Sequence, residues 1–184
     1  MREKPQAKEW ALHWLATLTE RRPQSLEERN RRGGGTGQNP GMPAREDLKN
    51  LSLLGTSESR LPANPDEARL ETFENQRVGR RYWITLNCPE FSSLCPVTGQ
   101  PDSARLVIRY VPGERCVETK SLKFYLASFR NQPAFNEEIV NRILDDLVDA
   151  LAPVEMIVRG EFAPRGGIQL TTEATFPDAA GVKP

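Results

Sequence analysis

The chain has 184 residues, and its 25 Lys+Arg balance 25 Asp+Glu to a formal net charge of zero. That length suits one domain with a real core, the charge balance argues against a phosphate-neutralising nucleic-acid binder, and no apolar run approaches the roughly 20 residues that span a bilayer. The charged N-terminus (MREKPQAKEWALHWL) is unlike a signal peptide, and a soluble cytoplasmic protein is expected.

Residues 6–20 place Ala11, Trp14, Leu15 and Leu18 at i, i+3, i+4 and i+7, which predicts a short amphipathic helix. The Arg-, Gly- and Pro-rich stretch that follows reads as a flexible linker, so residues 1–50 form an N-terminal extension and 51–184 the domain. The run Gly33–Gly37 has neither the preceding strand nor the Lys-Ser/Thr ending of a phosphate loop. Residues 80–87 (RRYWITLN) are aromatic and β-branched and predict a strand, and a Pro- and Gly-punctuated loop follows over 88–103. Residues 104–111 alternate Leu106, Ile108 and Tyr110 against Val107 and Arg109, a second strand. Helices are expected over 119–130 and 137–151, the second capped by Asn136, with Glu137 and Glu138 in its first turn and Pro153 beyond its end. Strands over 154–162 and 168–176 complete the order. An α+β domain follows, an antiparallel four-stranded sheet with two helices on one face. The two open sheet edges invite edge-to-edge assembly into an oligomeric barrel.

The residues able to carry chemistry are few. Cys88, Cys95 and Cys116 are odd in number and lack the spacing of a disulfide framework or a zinc ribbon. The single histidine, His13, lies in the N-terminal extension, so the domain has no histidine to activate a nucleophile or complete a zinc site. No metal is expected. Cys95 stands in the segment EFSSLCPVTGQPD (90–102), with Asp102 seven residues on, across a Thr-Gly-Gln-Pro turn that can fold it back toward the sulfur. A cysteine is the strongest neutral-pH nucleophile if some thiolate is present, and a carboxylate is its obvious proton partner. A small buried core residue is the alternative, and Cys88 and Cys116 fit that role. In ETKSLKFY (118–125), Lys120 and Lys123 lie three apart and can address one anion, or simply form a solvated helix face. Glu137 at a helix start can accept paired N–H donors from a purine-like ring or complement the dipole. Arg165 and Gly166 in PRGGI (164–168) offer an anion contact or an ordinary hairpin.

Together these segments, with FRN (129–131) and FNE (135–137) between them, resemble in order and spacing the 7-cyano-7-deazaguanine reductases, over roughly residues 50–178. The resemblance implies the tunnelling fold, whose sheets close a barrel of several subunits with active sites between them. It implies an oxidoreductase using NADPH as co-substrate, in queuosine biosynthesis for tRNA modification. Cys95 would form a covalent thioimide with the nitrile of 7-cyano-7-deazaguanine and Asp102 would be its proton donor. Val117, Glu118, Thr119, Asn136 and Glu137 would hold the substrate, and Lys120, Lys123, Arg165 and Gly166 the NADPH. The chain departs from the family pattern at Gln132 and Asn136, where family members typically carry histidine. Asn136 can hydrogen-bond a ligand but cannot serve as a general acid.

Two other readings compete. An amidinotransferase-like relative would attack the same nitrile through cysteine without NADPH, against which the ETKSLK segment argues. A non-catalytic deazaguanine-binding barrel would leave Cys95 inert. A related zinc cyclohydrolase is disfavoured by the lack of histidine in the domain.

Overall fold

Alternation along the second expected strand sets the core. Leu106, Ile108 and Tyr110 are almost fully buried, while Arg105 and Arg109 on the alternate positions are exposed. The computed structural model describes residues 51–52 and 60–178; the expected helix over 6–20 and the linker after it lie outside them.

Six strands and two α-helices follow in chain order: β1 (Thr72–Glu74), β2 (Ile84–Leu94), β3 (Pro101–Val111), β4 (Arg115–Val117), α1 (Thr119–Ser128), α2 (Asn136–Leu151), β5 (Glu155–Phe162) and β6 (Thr171–Phe176). Four of the strands form an antiparallel sheet in the order β2-β3-β5-β6. One face of this sheet carries Phe91, Ala104, Leu106, Ile108, Tyr110, Met156, Val158 and Ala174 into a single core with Leu122, Tyr125 and Leu126 of α1 and Ile139, Val140, Ile143 and Leu147 of α2. Fully burying each such aliphatic side chain contributes about 1.5–3 kcal/mol. The opposite face bears Thr85, Arg105, Arg109, Arg159 and Glu173, all exposed. The expected α+β class, an antiparallel sheet with two helices, is what the chain forms.

The boundaries differ where local signals conflict. β2 runs seven residues beyond its expected end, through Pro89. It is an edge strand, and its register against β3 shifts between Cys88 and Phe91, which is where a proline costs no ladder hydrogen bond. The expected loop over 88–103 therefore shrinks to the few residues between Leu94 and Pro101. A second, two-stranded antiparallel sheet of β1 and β4, three residues each, is an addition to the four expected strands. It ties the entry of α1 to the preceding chain: Glu118 N–H donates to Glu71 O at 2.9 Å, and Glu71 N–H to Ser121 Oγ at 2.9 Å.

The second helix begins one residue earlier than its sequence suggests. Asn136 is its first residue rather than its cap, and Phe135 takes the cap position with its N–H donating to Glu138 Oε2 at 3.4 Å. The reach-back carboxylate starts the helix without a capping side chain. Close packing of α2 on the sheet needs Gly160, where an added Cβ would lie 2.8 Å from Val140 Cγ2.

Candidate active site

The end of β2 presents a cysteine on a rigid turn. Phe91 and Ser93, two apart on the strand, are both buried, and the chain leaves the sheet at Cys95. Cys95 N–H donates to Gln100 O at 2.9 Å, and Gly99 N–H donates to Cys95 O at 2.9 Å, so the loop is closed by its own backbone. Gly99 has a φ of 67°, a left-handed conformation that favours glycine. The chain re-enters the sheet at Pro101. Asp102 then stands directly opposite Ser93 in the β2–β3 register, and both are buried.

The hairpin between β5 and β6 closes the site from the other side. Arg165 and Ile168 exchange backbone hydrogen bonds at 2.9 Å each, with Gly166 and Gly167 at φ of 56° and 81° between them. From this tip Arg165 Nη2 reaches the loop that carries Cys95. It lies 2.8 Å from Asp102 Oδ1 and donates to Pro101 O at 2.6 Å and to Gln100 O at 3.3 Å. The guanidinium thus binds the carboxylate and the loop carrying the cysteine as one unit.

This geometry activates the sulfur. The Cys95 thiol is lowered to about 7, chiefly by the hydrogen bond from the Thr98 side chain and then by the Thr98 and Val97 N–H groups, with partial burial opposing and Arg165 adding to the lowering. Donors on a thiolate favour its charged form. A larger share of Cys95 than of an ordinary cysteine is therefore thiolate at neutral pH. The other two thiols are built differently: burial raises Cys88, and Cys116 is buried on β4.

A third wall comes from the stretch before α2. Leu94 N–H donates to Gln132 O at 3.0 Å and Ala134 N–H to Leu94 O at 3.2 Å, an isolated parallel bridge that places residues 132–136 beside the cysteine loop. Gln132 Nε2 is held by Ala63 O at 3.3 Å. Asn136, released from capping, has a buried Oδ1 with no hydrogen-bond partner among the described residues. An orphaned acceptor at this point fits a ligand N–H. Glu137 follows it on the exposed side.

The remaining expected site residues gather at the start of α1, held by a separate set of contacts. Val117 is buried in the core, its N–H donating to the Tyr110 hydroxyl at 3.2 Å. The Glu118 carboxylate caps α1, accepting from Lys120 N–H at 2.8 Å and Ser121 N–H at 2.7 Å. Thr119 and Lys123 are exposed and Lys120 is half-buried. Two lysines in the first turns of a helix, with the positive-φ glycine turn of Gly166 and Gly167 elsewhere, suit the phosphates of a dinucleotide. One buried residue escaped notice in the sequence, Ser93. The alternation Phe91, Ser93 on an edge strand was its only signal, and the loop expected from residue 88 hid it.

The family model described as "QueF-like protein" matches residues 101–180. The NADPH-dependent 7-cyano-7-deazaguanine reductase of Staphylococcus haemolyticus is 47% identical over 126 residues, 68% of this chain and 76% of the relative. That of Streptococcus thermophilus is 48% identical over 129 residues, covering 70% and 79%. That of Anaeromyxobacter sp. is 54% identical over 114 residues, covering 62% and 93%. Among solved structures, the apo archaeosine synthase QueF-Like aligns with a TM-score of 0.48 at 20% identity, covering 50% of this chain and 91% of that one. At such identities over more than two thirds of the relatives' length, the chain belongs to the family of NADPH-dependent 7-cyano-7-deazaguanine reductases.

Proposed function

We propose that the chain reduces the nitrile of 7-cyano-7-deazaguanine to the aminomethyl group, consuming NADPH, as a step of queuosine biosynthesis in the cytoplasm. The observation that carries this reading is Cys95 on a turn closed by its own backbone, with Thr98, Val97 and Arg165 as donors to its sulfur and Arg165 also 2.8 Å from Asp102. Residues 51–184 are the reductase domain. That no disulfide joins Cys88, Cys95 or Cys116 suits a reducing compartment. Among the described residues no helix is long and apolar enough to cross a membrane.

The residues support a covalent route. The Cys95 sulfur adds to the nitrile carbon, forming a C–S bond while one C≡N electron pair moves to nitrogen. Asp102 delivers a proton to that nitrogen, giving the thioimide. NADPH supplies hydride to the former nitrile carbon, twice per substrate. Between these reductions the C–S bond breaks, the sulfur leaves as thiolate and an imine remains, which takes the second hydride on carbon and a proton from Asp102 or water on nitrogen to give the amine. Covalent attachment divides a four-electron reduction into two-electron stages on a tethered substrate. Asn136 and Glu137 receive the polar edge of the base. Val117, Glu118 and Thr119 form a further wall of the pocket, and Lys120, Lys123, Arg165 and Gly166 carry the cofactor's phosphates.

The nucleophile and the α1 lysines are organised by different elements, and β2 and β6 are the outer strands of the open four-stranded sheet. Closure of several such sheets into a tunnelling-fold barrel joins the α1 cluster of one subunit to the Cys95 loop of another, making the enzyme a homo-oligomer. Light scattering should then show a ring or paired rings; a fully active monomer at working concentration contradicts this assembly.

The function itself is tested by mixing the protein with 7-cyano-7-deazaguanine and NADPH. Two NADPH oxidised per nitrile, and an intact-mass adduct when NADPH is withheld, are expected. An adduct with ammonia transfer and no NADPH oxidation would instead indicate an amidinotransferase, and no adduct a binding protein.

A further inference from the structure

Ser93 is a fully buried residue of β2, and its hydroxyl has no use in the mechanism above. Its Oγ has no hydrogen-bond partner among the described residues. Buried hydroxyls in native proteins are nearly always bonded, and an orphan beside a reactive group calls for a partner that arrives during function. The register of the sheet supplies one. Ser93 stands directly opposite Asp102, and side chains so opposed share a face with Cβ atoms about 4.5–5.5 Å apart. The Asp102 carboxylate is turned away from it, to Arg165 at 2.8 Å.

We propose that Ser93 is a second hydrogen-bond station for the Asp102 carboxyl, a positioning residue that holds it in its acid form. The Arg165 station suits only the carboxylate, because the ion pair depends on the negative charge. Asp102 loses that charge when it takes up the proton it will deliver to the nitrile, and with it most of the hold of the guanidinium. A turn of the Asp102 side chain then brings one carboxyl oxygen to the Ser93 hydroxyl, which donates to it. The other oxygen keeps its proton, faces the nitrile nitrogen and delivers it as the C–S bond forms. The carboxylate left behind returns to Arg165. Each station matches one charge state, so the proton itself selects the position.

This inference rests on the covalent reading of the site. Its test is the rate of adduct formation with 7-cyano-7-deazaguanine in the absence of NADPH, followed by intact mass for wild type, Ser93→Ala and Ser93→Thr. Ser93→Ala should lower the saturating rate about tenfold, the size of one neutral hydrogen bond. The half-saturating nitrile concentration should stay within about twofold of wild type, because the substrate does not touch this hydroxyl in the ground state. Ser93→Thr, which keeps the hydroxyl, should recover most of the rate. Iodoacetamide alkylation of Cys95 should be unchanged in both variants. Removing an orphaned buried hydroxyl should leave the melting temperature of Ser93→Ala equal to or above that of wild type.

A Ser93→Ala rate within about twofold of wild type overturns the proposal. So does a loss of rate accompanied by a lower melting temperature and slower alkylation, which marks a purely structural hydroxyl. A wild type that forms the adduct but oxidises no NADPH refutes the reductase reading alone, and the comparison of adduct rates still decides the role of Ser93. A wild type that forms no adduct refutes both.

Discussion

Cys95→Ala should abolish both the nitrile adduct and nitrile-dependent NADPH oxidation, while Cys88→Ala and Cys116→Ala keep the adduct. The expectation follows from how each sulfur is held. Thr98, the Val97 and Thr98 N–H groups and Arg165 converge on Cys95 and lower it to about 7. Burial moves Cys88 the other way, and Cys116 is enclosed between the two-stranded sheet and the core. The same contacts set a pH dependence. The thiol of Cys95 is depressed, so its thiolate is present above about 7 and is lost as pH falls through that value. Alkylation of Cys95 by iodoacetamide should therefore be half-maximal near pH 7, and Thr98→Val, which removes the largest contribution, should move that midpoint upward. Near-wild-type nitrile reduction by Cys95→Ala would refute the covalent route.

The second large effect belongs to Asp102→Asn, which should slow adduct formation on the order of 10²-fold or more. Asparagine keeps the shape of the side chain, and Arg165 keeps its bonds to the carbonyls of Gln100 and Pro101, so the loop should hold. What disappears is the proton that the proposed route delivers to the nitrile nitrogen. Iodoacetamide needs no such proton, so its reaction with Cys95 should persist in this variant, separating loss of the acid from loss of the nucleophile. Asn136 cannot compensate, since an amide does not titrate. Asn136→His introduces a group that does, and should add a limb to the pH–rate profile. A wild-type profile left unchanged in height and shape by Asp102→Asn would remove Asp102 from the role of acid.

Much of this site was legible before any coordinates. The α+β order was visible because alternation in 104–111 and helical spacing in 137–151 are strong, long signals, and both segments form those elements. The seven-residue spacing across a Thr-Gly-Gln-Pro turn singled out Cys95 and Asp102, and the closed loop brings their segments together. Other features depend on partners distant in sequence. Nothing near Arg165 announces that it will reach Asp102, 63 positions away, because that contact is made by the fold. Nothing in ETKSLKFY marks Glu118 as the cap of α1, which its carboxylate is. The strands Thr72–Glu74 and Arg115–Val117 are too short for any period to show. Pro89 disguised the larger part of β2, since the rule that excludes proline from strands does not apply at the bulge of an edge strand.

The placement of the three cysteines has a consequence for the protein's lifetime in air. A partly exposed, thiolate-rich sulfur is the kind that peroxide converts first to sulfenic acid, a state another thiol can rescue by forming a disulfide. A disulfide needs Cα atoms within about 7 Å. Cys88 lies seven residues back along nearly straight β2, about 20 Å away at the rise of a strand. Cys116 is sealed in the other sheet. Within the chain Cys95 has no resolving thiol, so a single oxidation depends on an external reductant for repair, and without one it proceeds to the irreversible sulfinic form.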